Sequence, residues 1–551
     1  MITKHIILIT AFALTIKLIS CNRVEYDREF SRRLSMDIEK LQEDPPVIDG
    51  NLIYNPDILI GLYEKDKGLL HARWDSWENI DQILYSIRNV YRDGLNPEDY
   101  HLLAIEDLVD LLLTSEEVNI ADSALLELLL TDAFLLLSAH LAGGKVDNRT
   151  FMPRWKVPGI REGVDTQRFV DSTLQNKQII ENLRGLVPGH PEYARLKHSL
   201  LKYRQIEEKG GWQSFRKVLP NLEKGMWHPD IHLLRERLAA EQGDIEPGSD
   251  DENLFDHSLR EQVILFQQRN GLEANGIVDA ATVRMLNVSV YQRLDMIEVN
   301  LERWRWLSYD PRESFIRVNI PEFKLYVMEN DEIVISIRAI AGTRERQTPV
   351  YSSAVTSIEL NPYWFIPPSI LINDIIPAVR RNIFYLEDRH MRIFRDDWTE
   401  VDPMSVDWES DFEEGFPYII RQDPGPYNEM GRVKFLFPNP YYIAIHDTPF
   451  RELFEKPDRT LSSGCIRIDR PVELAAWILK DDPVWTRSDI IKIIDQGENH
   501  SVDLEEPVPV EILYLTVWPD DNGTVHFRED IYKLDRQVLE ALKEDPPLPG
   551  L

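Results

Sequence analysis

Between about residues 27 and 213 the apolar positions recur at helical spacing, and one stretch, 123–141 (SALLELLLTDAFLLLSAHL), is apolar nearly all round. A helix without a polar face has to be buried. Glu127 and Asp132 inside it argue against a membrane span, where a centred acid is costly. Asp93-Gly94-Leu95-Asn96-Pro97 and Ala142-Gly143-Gly144 punctuate the pattern as connections, so a helical scaffold domain is expected over 27–215. Helical periodicity returns at 231–238, 259–266 and 280–286, with an acidic loop carrying Gly and Pro at 243–253, which predicts a small three-helix module over 226–290. From Ser314 the period changes to two. Runs 315–320, 324–328 and 333–340, with a turn at Asn330-Asp331, open as a β-meander. Strand-like runs recur at 357–360, 433–437, 442–445 and 490–494. A mostly-β domain is therefore expected over 300–500. The stretch 370–429 is too long and too rich in charges and aromatics for a tight loop, and reads as a lid-like insertion or as decoration. A tail, 501–551, carries a strand pattern at 511–517 and an amphipathic helix at 535–542, expected to pack onto the β domain. The fold class is multidomain α+β.

A chain of 551 residues suits about three domains, and 43% hydrophobic with 28% charged residues is ordinary for folded protein. The net charge of −32 argues against a nucleic-acid partner, whose phosphates it would repel. Lys4, an apolar run at 6–16 and then Leu18-Ile19-Ser20-Cys21 have the order of a secretory signal and are short for a membrane span. The ending resembles a bacterial lipobox, which implies a signal peptide over 1–21 and lipidation of Cys21. The alternative is a short transmembrane anchor, with Lys17 awkwardly inside it. Both readings put the rest of the chain outside the cytoplasm. Cys21 and Cys465 are the two cysteines, so an exported chain carries one leftover thiol, a candidate nucleophile or a small buried apolar residue.

The chemistry concentrates in Tyr442-Ile443-Ala444-Ile445-His446-Asp447-Thr448-Pro449 and Leu461-Ser462-Ser463-Gly464-Cys465-Ile466-Arg467-Ile468. An alternating apolar strand delivers His446 at its end, before a Thr-Pro loop. Nineteen residues on, Gly464 gives the turn before Cys465 room for backbone N–H groups to approach a reacting carbonyl. An imidazole near a thiol raises the thiolate population, and His is the natural base.

This phrase resembles the YkuD-type L,D-transpeptidase signature, in which His is followed at this distance by Ser-His-Gly-Cys-Ile/Val-Arg; Ser463 stands where that family commonly has its second His. Together with Glu302-Arg303-Trp304-Arg305-Trp306 and the 361–370 segment NPYWFIPPSI, it looks like the larger YcbB-like subgroup. Val263 to Leu272, followed by Asn275-Gly276-Ile277-Val278-Asp279 and Thr282, resembles the three-helix peptidoglycan-binding module. The resemblance implies a helical scaffold, a peptidoglycan-binding module and a YkuD-type catalytic domain. It also implies a Cys acyl-enzyme chemistry on tetrapeptide stems that forms 3→3 cross-links, with Cys465 as nucleophile and His446 as base. Backbone N–H groups around Ser463, Gly464 and Cys465 are the oxyanion candidates.

Other residues carry two readings. Arg467 either holds a substrate carboxylate or braces the loop. Trp364 lines the cleft or belongs to a core, and Tyr442 reaches the site or is an in-out strand residue. Ser462 orients the pair or satisfies the turn, Asp447 is a turn acceptor rather than a triad member, and Thr448 is a substrate-contact candidate. The thirteen His lack metal-ligand spacing and there is no phosphate-cradling Gly-rich loop, so neither metal nor other cofactor is expected. The implied partners are peptidoglycan stem peptides and glycan strands, with carbapenem-type β-lactams as inhibitors and the membrane reached through the N-terminal lipid. The expected location is the cell envelope, periplasmic and lipid-anchored. An L,D-carboxypeptidase or other peptidoglycan hydrolase, and a non-catalytic wall-binding lipoprotein, are the alternatives. A papain-like protease fits poorly, because there Cys precedes His.

Overall fold

A computed structural model describes residues 23–64, 69–115, 117–147, 166–215, 221–243, 251–307, 313–410, 412 and 415–546. Cys21, with the whole signal-like segment, lies outside the described residues. In the scaffold, the apolar stretch forms a 24-residue helix, Ile120–Gly143, sheathed by Arg23–Lys40, Trp77–Asn89 and Leu102–Thr114. The two buried acids of this helix, Glu127 and Asp132, are satisfied internally. Glu127 accepts from Tyr63 Oη at 2.6 Å and from the Arg73 amide at 2.8 Å. Asp132 accepts from the Asn55 amide at 2.8 Å and pairs with His101 Nε2 at 2.8 Å. Buried carboxylates persist only with such partners, and here they hold irregular chain against the helix.

The three-helix module comprises Ile231–Gln242, His257–Arg269 and Ala280–Leu286, closed around Leu238, Phe255, Val263 and Phe266. Asp256 and Asp279 cap the second and third helices through the amides of Leu259 and Thr282. Gln267 is buried and spans the glycine turn, donating to the Ile277 carbonyl at 2.8 Å and accepting from the Gly276 amide at 2.8 Å. Its Nε2 also donates to Thr282 Oγ1 at 3.1 Å, so one side chain ties the second helix, the glycine turn and the start of the third helix together.

The β domain is built from β1 (Ser314–Asn319), β2 (Lys324–Glu329), β3 (Glu332–Gly342) and β4 (Tyr351–Leu360). An insertion follows with β5 (Trp364–Phe365), β6 (Met391–Phe394), β7 (Glu400–Val401) and β8 (Ile419–Gln422). The domain resumes with β9 (Val433–Leu436), β10 (Ile445–His446), β11 (Thr460–Ser462), β12 (Ile466–Ile468) and β13 (His500–Leu513). The main ladder runs β11-β3-β12-β10-β9-β4-β13-β1-β2, and β2 pairs with β3 again, so the sheet closes on itself. The tail supplies β13, which lies between β4 and β1 rather than on the outside.

Insertion strands form a separate sheet, β5-β8-β6-β7, over their own core of Leu371, Ile375, Val379, Ile393, Trp408 and Ile420. Two expected strands are corrected. Residues 490–494 belong to a helix, Arg487–Gln496, started by a capping box of Thr486 and Asp489 and burying Ile490 and Ile494 one turn apart. A short apolar run has no period of its own with which to tell strand from helix. The 442–445 strand shrinks to Ile445–His446, because Asn439 accepts from the amides of Tyr441 and Ile443 and folds the approach into a turn.

Candidate active site

β10 and β12 run parallel, with Ile445 opposite Ile466 and His446 opposite Arg467. The Ile466 amide donates to the Ala444 carbonyl at 3.0 Å, and the Ala444 amide reaches the Cys465 sulfur, which carries the same alternation back to residue 465. Side chains alternate along a strand. Ile445, Ile466 and Ile468 therefore point into the core, where they are fully buried, and Ala444, His446, Cys465 and Arg467 share the opposite face. Cys465 and His446 become diagonal neighbours there, an arrangement that an imidazole can bridge.

Burial sets the charges. His446 is pushed down to about 3, first by burial and then by the positive charge of Arg467. Its Nδ1 lies 2.5 Å from the Asp447 carbonyl oxygen, so the neutral ring donates there and keeps its lone pair on Nε2. Burial also pushes the Cys465 thiol up, opposed by the Ala444 amide, Arg467 and Lys434. At rest the pair is a neutral thiol beside a neutral imidazole. Cys465 remains partly exposed.

The turn before Cys465 is held from three sides. Gly464 has φ +112°, a backbone conformation that side chains resist. Ser462 donates to the Cys465 carbonyl at 2.5 Å and accepts from the Gly464 amide at 3.2 Å, which engages one of the expected oxyanion donors. Thr348 donates to the Gly464 carbonyl at 2.9 Å and accepts from the Gly342 amide at 2.8 Å. Gly342 admits no side chain, since a Cβ would come 2.1 Å from the Arg346 carbonyl oxygen. Ser463 is exposed and accepts from Arg346 Nη1 at 3.0 Å; the same guanidinium forks onto Asp374 of the insertion, its Nη2 at 2.9 Å.

The remaining candidates divide. Arg467 Nη2 lies 3.7 Å from Glu429 Oε2, at the return of the insertion. Asp447 is buried, accepts from the Arg432 amide at 2.8 Å and pairs with Arg451, and burial raises its carboxyl. Thr448, also buried, accepts from the Phe450 amide at 3.3 Å. Trp364 packs on the insertion core, and Tyr442 is 89% exposed at φ +55° in the turn before β10.

Family models match in three places. Residues 313–486 match the YkuD model, described as the L,D-transpeptidase catalytic domain; 69–200 match the scaffold domain; and 228–286 match the "putative peptidoglycan binding domain". The chain carries a YkuD-family L,D-transpeptidase domain. A Haemophilus influenzae protein named "putative L,D-transpeptidase" is 34% identical over 223 residues, which is 40% of this chain and 45% of that protein. The chain thus aligns with about half the length of that relative. Solved L,D-transpeptidase structures from Xylanimonas cellulosilytica (13% identity, 54% of this chain and 98% of that one, TM-score 0.18) and Stackebrandtia nassauensis (11%, 55% and 97%, 0.20) are also similar to it. Among the described residues no helix is long and apolar enough to cross a membrane.

Four residues around the Cys465–His446 pair escaped the sequence: Lys434, Arg346, Asp374 and Glu429. Lys434 faces His446 across the β9–β10 register. Its place on the alternating strand 433–437, beside the candidate His strand, was a usable signal. Arg346 lies 117 residues from the serine it contacts, and nothing in its local pattern distinguishes it from a surface charge.

Proposed function

We propose that the chain is a cysteine L,D-transpeptidase of the cell envelope that joins peptidoglycan stems by 3→3 cross-links, tethered through lipid on Cys21. The observation that carries this reading is the parallel β10–β12 register, which sets Cys465 and His446 on one face, with Cys465 partly exposed. His446 takes the thiol proton as Cys465 Sγ attacks the carbonyl of the third, L-configured stem residue. The C–N bond to the terminal D-Ala breaks, and the imidazolium returns the proton to the departing amine. A thioester remains. The side-chain amine of a second stem's diaminopimelate then attacks it, His446 accepts a proton, and the thiolate leaves. With the Gly464 amide engaged by Ser462, the oxyanion falls to the Cys465 and Ser463 amides.

Incubation with disaccharide-tetrapeptide tests this directly. Cross-linked dimer that Cys465→Ala abolishes is the expected outcome; tripeptide alone, with no dimer, would make the protein an L,D-carboxypeptidase. Intact mass after exposure to a carbapenem reports acylation of Cys465 and, on mature protein from membranes, the lipid.

A further inference from the structure

The insertion carries a polar cleft to which neither strand of the Cys465–His446 pair contributes. Its volume is about 550 Å³, inside the range of small-ligand sites, about 300–1,000 Å³. Tyr363, Arg392, Arg421 and Asp423 line it from the insertion, and Glu498 and Asn499 from the chain just beyond helix Arg487–Gln496. Strand register extends this cleft into a face. Arg421 of β8 stands opposite Phe365 of β5 and Arg392 of β6, and Phe394 stands opposite Glu400 of β7. Ile420 and Ile393 alternate to the other side, into the insertion core. The outward side is therefore aromatic and ionic at once. Ring centres step from Tyr363 to Phe365 at 6.3 Å and from Phe365 to Trp398 at 6.1 Å. Phe365 is 48% exposed and Trp398 52%. Trp398 sits at φ +63° in the turn between β6 and β7, where its amide donates to the Arg395 carbonyl at 2.9 Å. A bulky residue keeps that conformation only where its surroundings enforce it.

The charges on this face satisfy one another. Arg392 donates to Asp423 at 2.9 Å and to Glu400 at 2.8 Å, and Arg421 Nη2 lies 2.7 Å from Asp423 Oδ1. The Arg421 guanidinium also lies over the rings of Tyr363 and Phe394, 4.4 and 4.6 Å from their centres. An added cation would meet that guanidinium on the same rings, and an added anion would meet Glu498 beside carboxylates that already hold both arginines. A neutral ligand meets neither penalty. To such a ligand the face offers ring surface for C–H groups and planar carboxylate and guanidinium edges for hydroxyls. A pyranose has that make-up, with apolar C–H faces and a rim of hydroxyls. The track from Tyr363 through Phe365 to Trp398 covers two ring spacings, which suits a chain of sugars better than a single one. Ion pairs and cation–π contacts fix the face in advance, so little side-chain ordering opposes binding. We infer that the outward face of the insertion sheet and its cleft form a glycan site that holds a neutral chain of linked pyranose rings. The site uses no group of the proposed reaction, and the cell-envelope reading above enters only in the choice of sugar for the test, an N-acetylhexosamine chain.

The probe is chitohexaose, a peptide-free β-1,4 chain of N-acetylglucosamine, titrated into the full-length protein while amide hydrogen exchange is followed by mass spectrometry. Exchange localises binding, and so separates this face from the three-helix module. Slower exchange across 391–401 and 419–424 is expected on saturation. Trp398→Ala and Phe365→Ala should each weaken that protection about tenfold in probe concentration and leave the melting temperature unchanged, because both rings are half exposed. Raising NaCl from about 0.05 to about 0.5 M should leave the affinity unaltered, as for a neutral ligand. Cys465→Ala is expected to bind the probe equally, so a failure of the acyltransferase reading would leave this site standing. Protection confined to 228–286, protection that both ring variants leave unmoved, or an affinity that collapses with salt would overturn the glycan site. Sedimentation that shows a dimer abolished by Trp398→Ala, with no sugar bound, would assign the face to a second copy of the chain instead.

Discussion

Placing an imidazole and a thiol together on a largely desolvated face of the sheet keeps both of them neutral. A pre-formed thiolate–imidazolium pair would alkylate at a rate independent of pH across neutrality. Here the thiol is raised by burial and the imidazole is lowered to about 3, so iodoacetamide should modify Cys465 ever faster as pH rises from 6 to 9, with no plateau below 8. A flat profile across that range would show the ion pair instead. His446→Ala should slow donor acylation by about 10²–10⁴-fold, the usual contribution of a positioned base, as read by single-turnover mass spectrometry. Stability carries the same signature. The folded His446 resists a proton that the unfolded ring accepts near 6.5. Unfolding is therefore favoured progressively as pH falls from 6.5 toward 3, and nothing is lost above 6.5. His140 is lowered alike, again by burial first. Melting curves should fall steadily through this window, and less steeply for His446→Gln.

Among the elements, the turn at Ser462–Gly464 and the insertion bear most directly on the site. Gly464→Ala should cost about 1–3 kcal/mol for the strained φ it imposes, seen in thermal unfolding together with slower acylation; an unchanged melting point would mean that the turn relaxes freely. The insertion reaches both flanks of Cys465, through Arg346 to Ser463 and through Glu429 to Arg467. Arg346 and Asp374 are each partly exposed, 32% and 42%, so their pairing contributes no more than about 1 kcal/mol to global stability. Asp374→Asn should therefore leave the melting temperature nearly unchanged while amide exchange in 368–381 speeds several-fold. If exchange there does not change, the insertion is seated by its apolar core alone.

At the scale of the whole molecule, the Glu302-to-Trp306 run is the joint between units. Glu302 accepts from the Val146 amide at 2.7 Å and pairs with Arg305 at 2.5 Å. Arg305 also donates to the Asp93 carbonyl at 2.7 Å, and Arg303 pairs with Asp535 of the C-terminal helix at 2.6 Å. Lys145 adds a grip from the scaffold on the same helix, donating to the Leu542 carbonyl at 2.9 Å. Removing one partner of a fully buried pair strands the other charge, so Glu302→Ala should destabilise the protein by about 3–5 kcal/mol, measured by denaturant unfolding. A smaller loss would mean that Arg305 reaches water.

Local pattern by itself determined the long buried helix, the three-helix module with its Gln267 and glycine turn, the β-meander and the pairing of His446 with Cys465 as candidates. Periodicity, capping residues and motif spacing are properties of neighbouring residues, and they survive without knowledge of the rest of the chain. Tertiary structure alone decided that β13 inserts between β4 and β1, that Tyr442 sits in a turn and that 490–494 is a helix. It also decided that Arg346, Asp374, Lys434 and Glu429 surround the nucleophile. Those outcomes depend on which distant strands pair, on which buried charges find partners across more than a hundred residues, and on how far desolvation shifts a proton. No window of sequence contains that information, because burial and register come into being only when the chain has closed on itself.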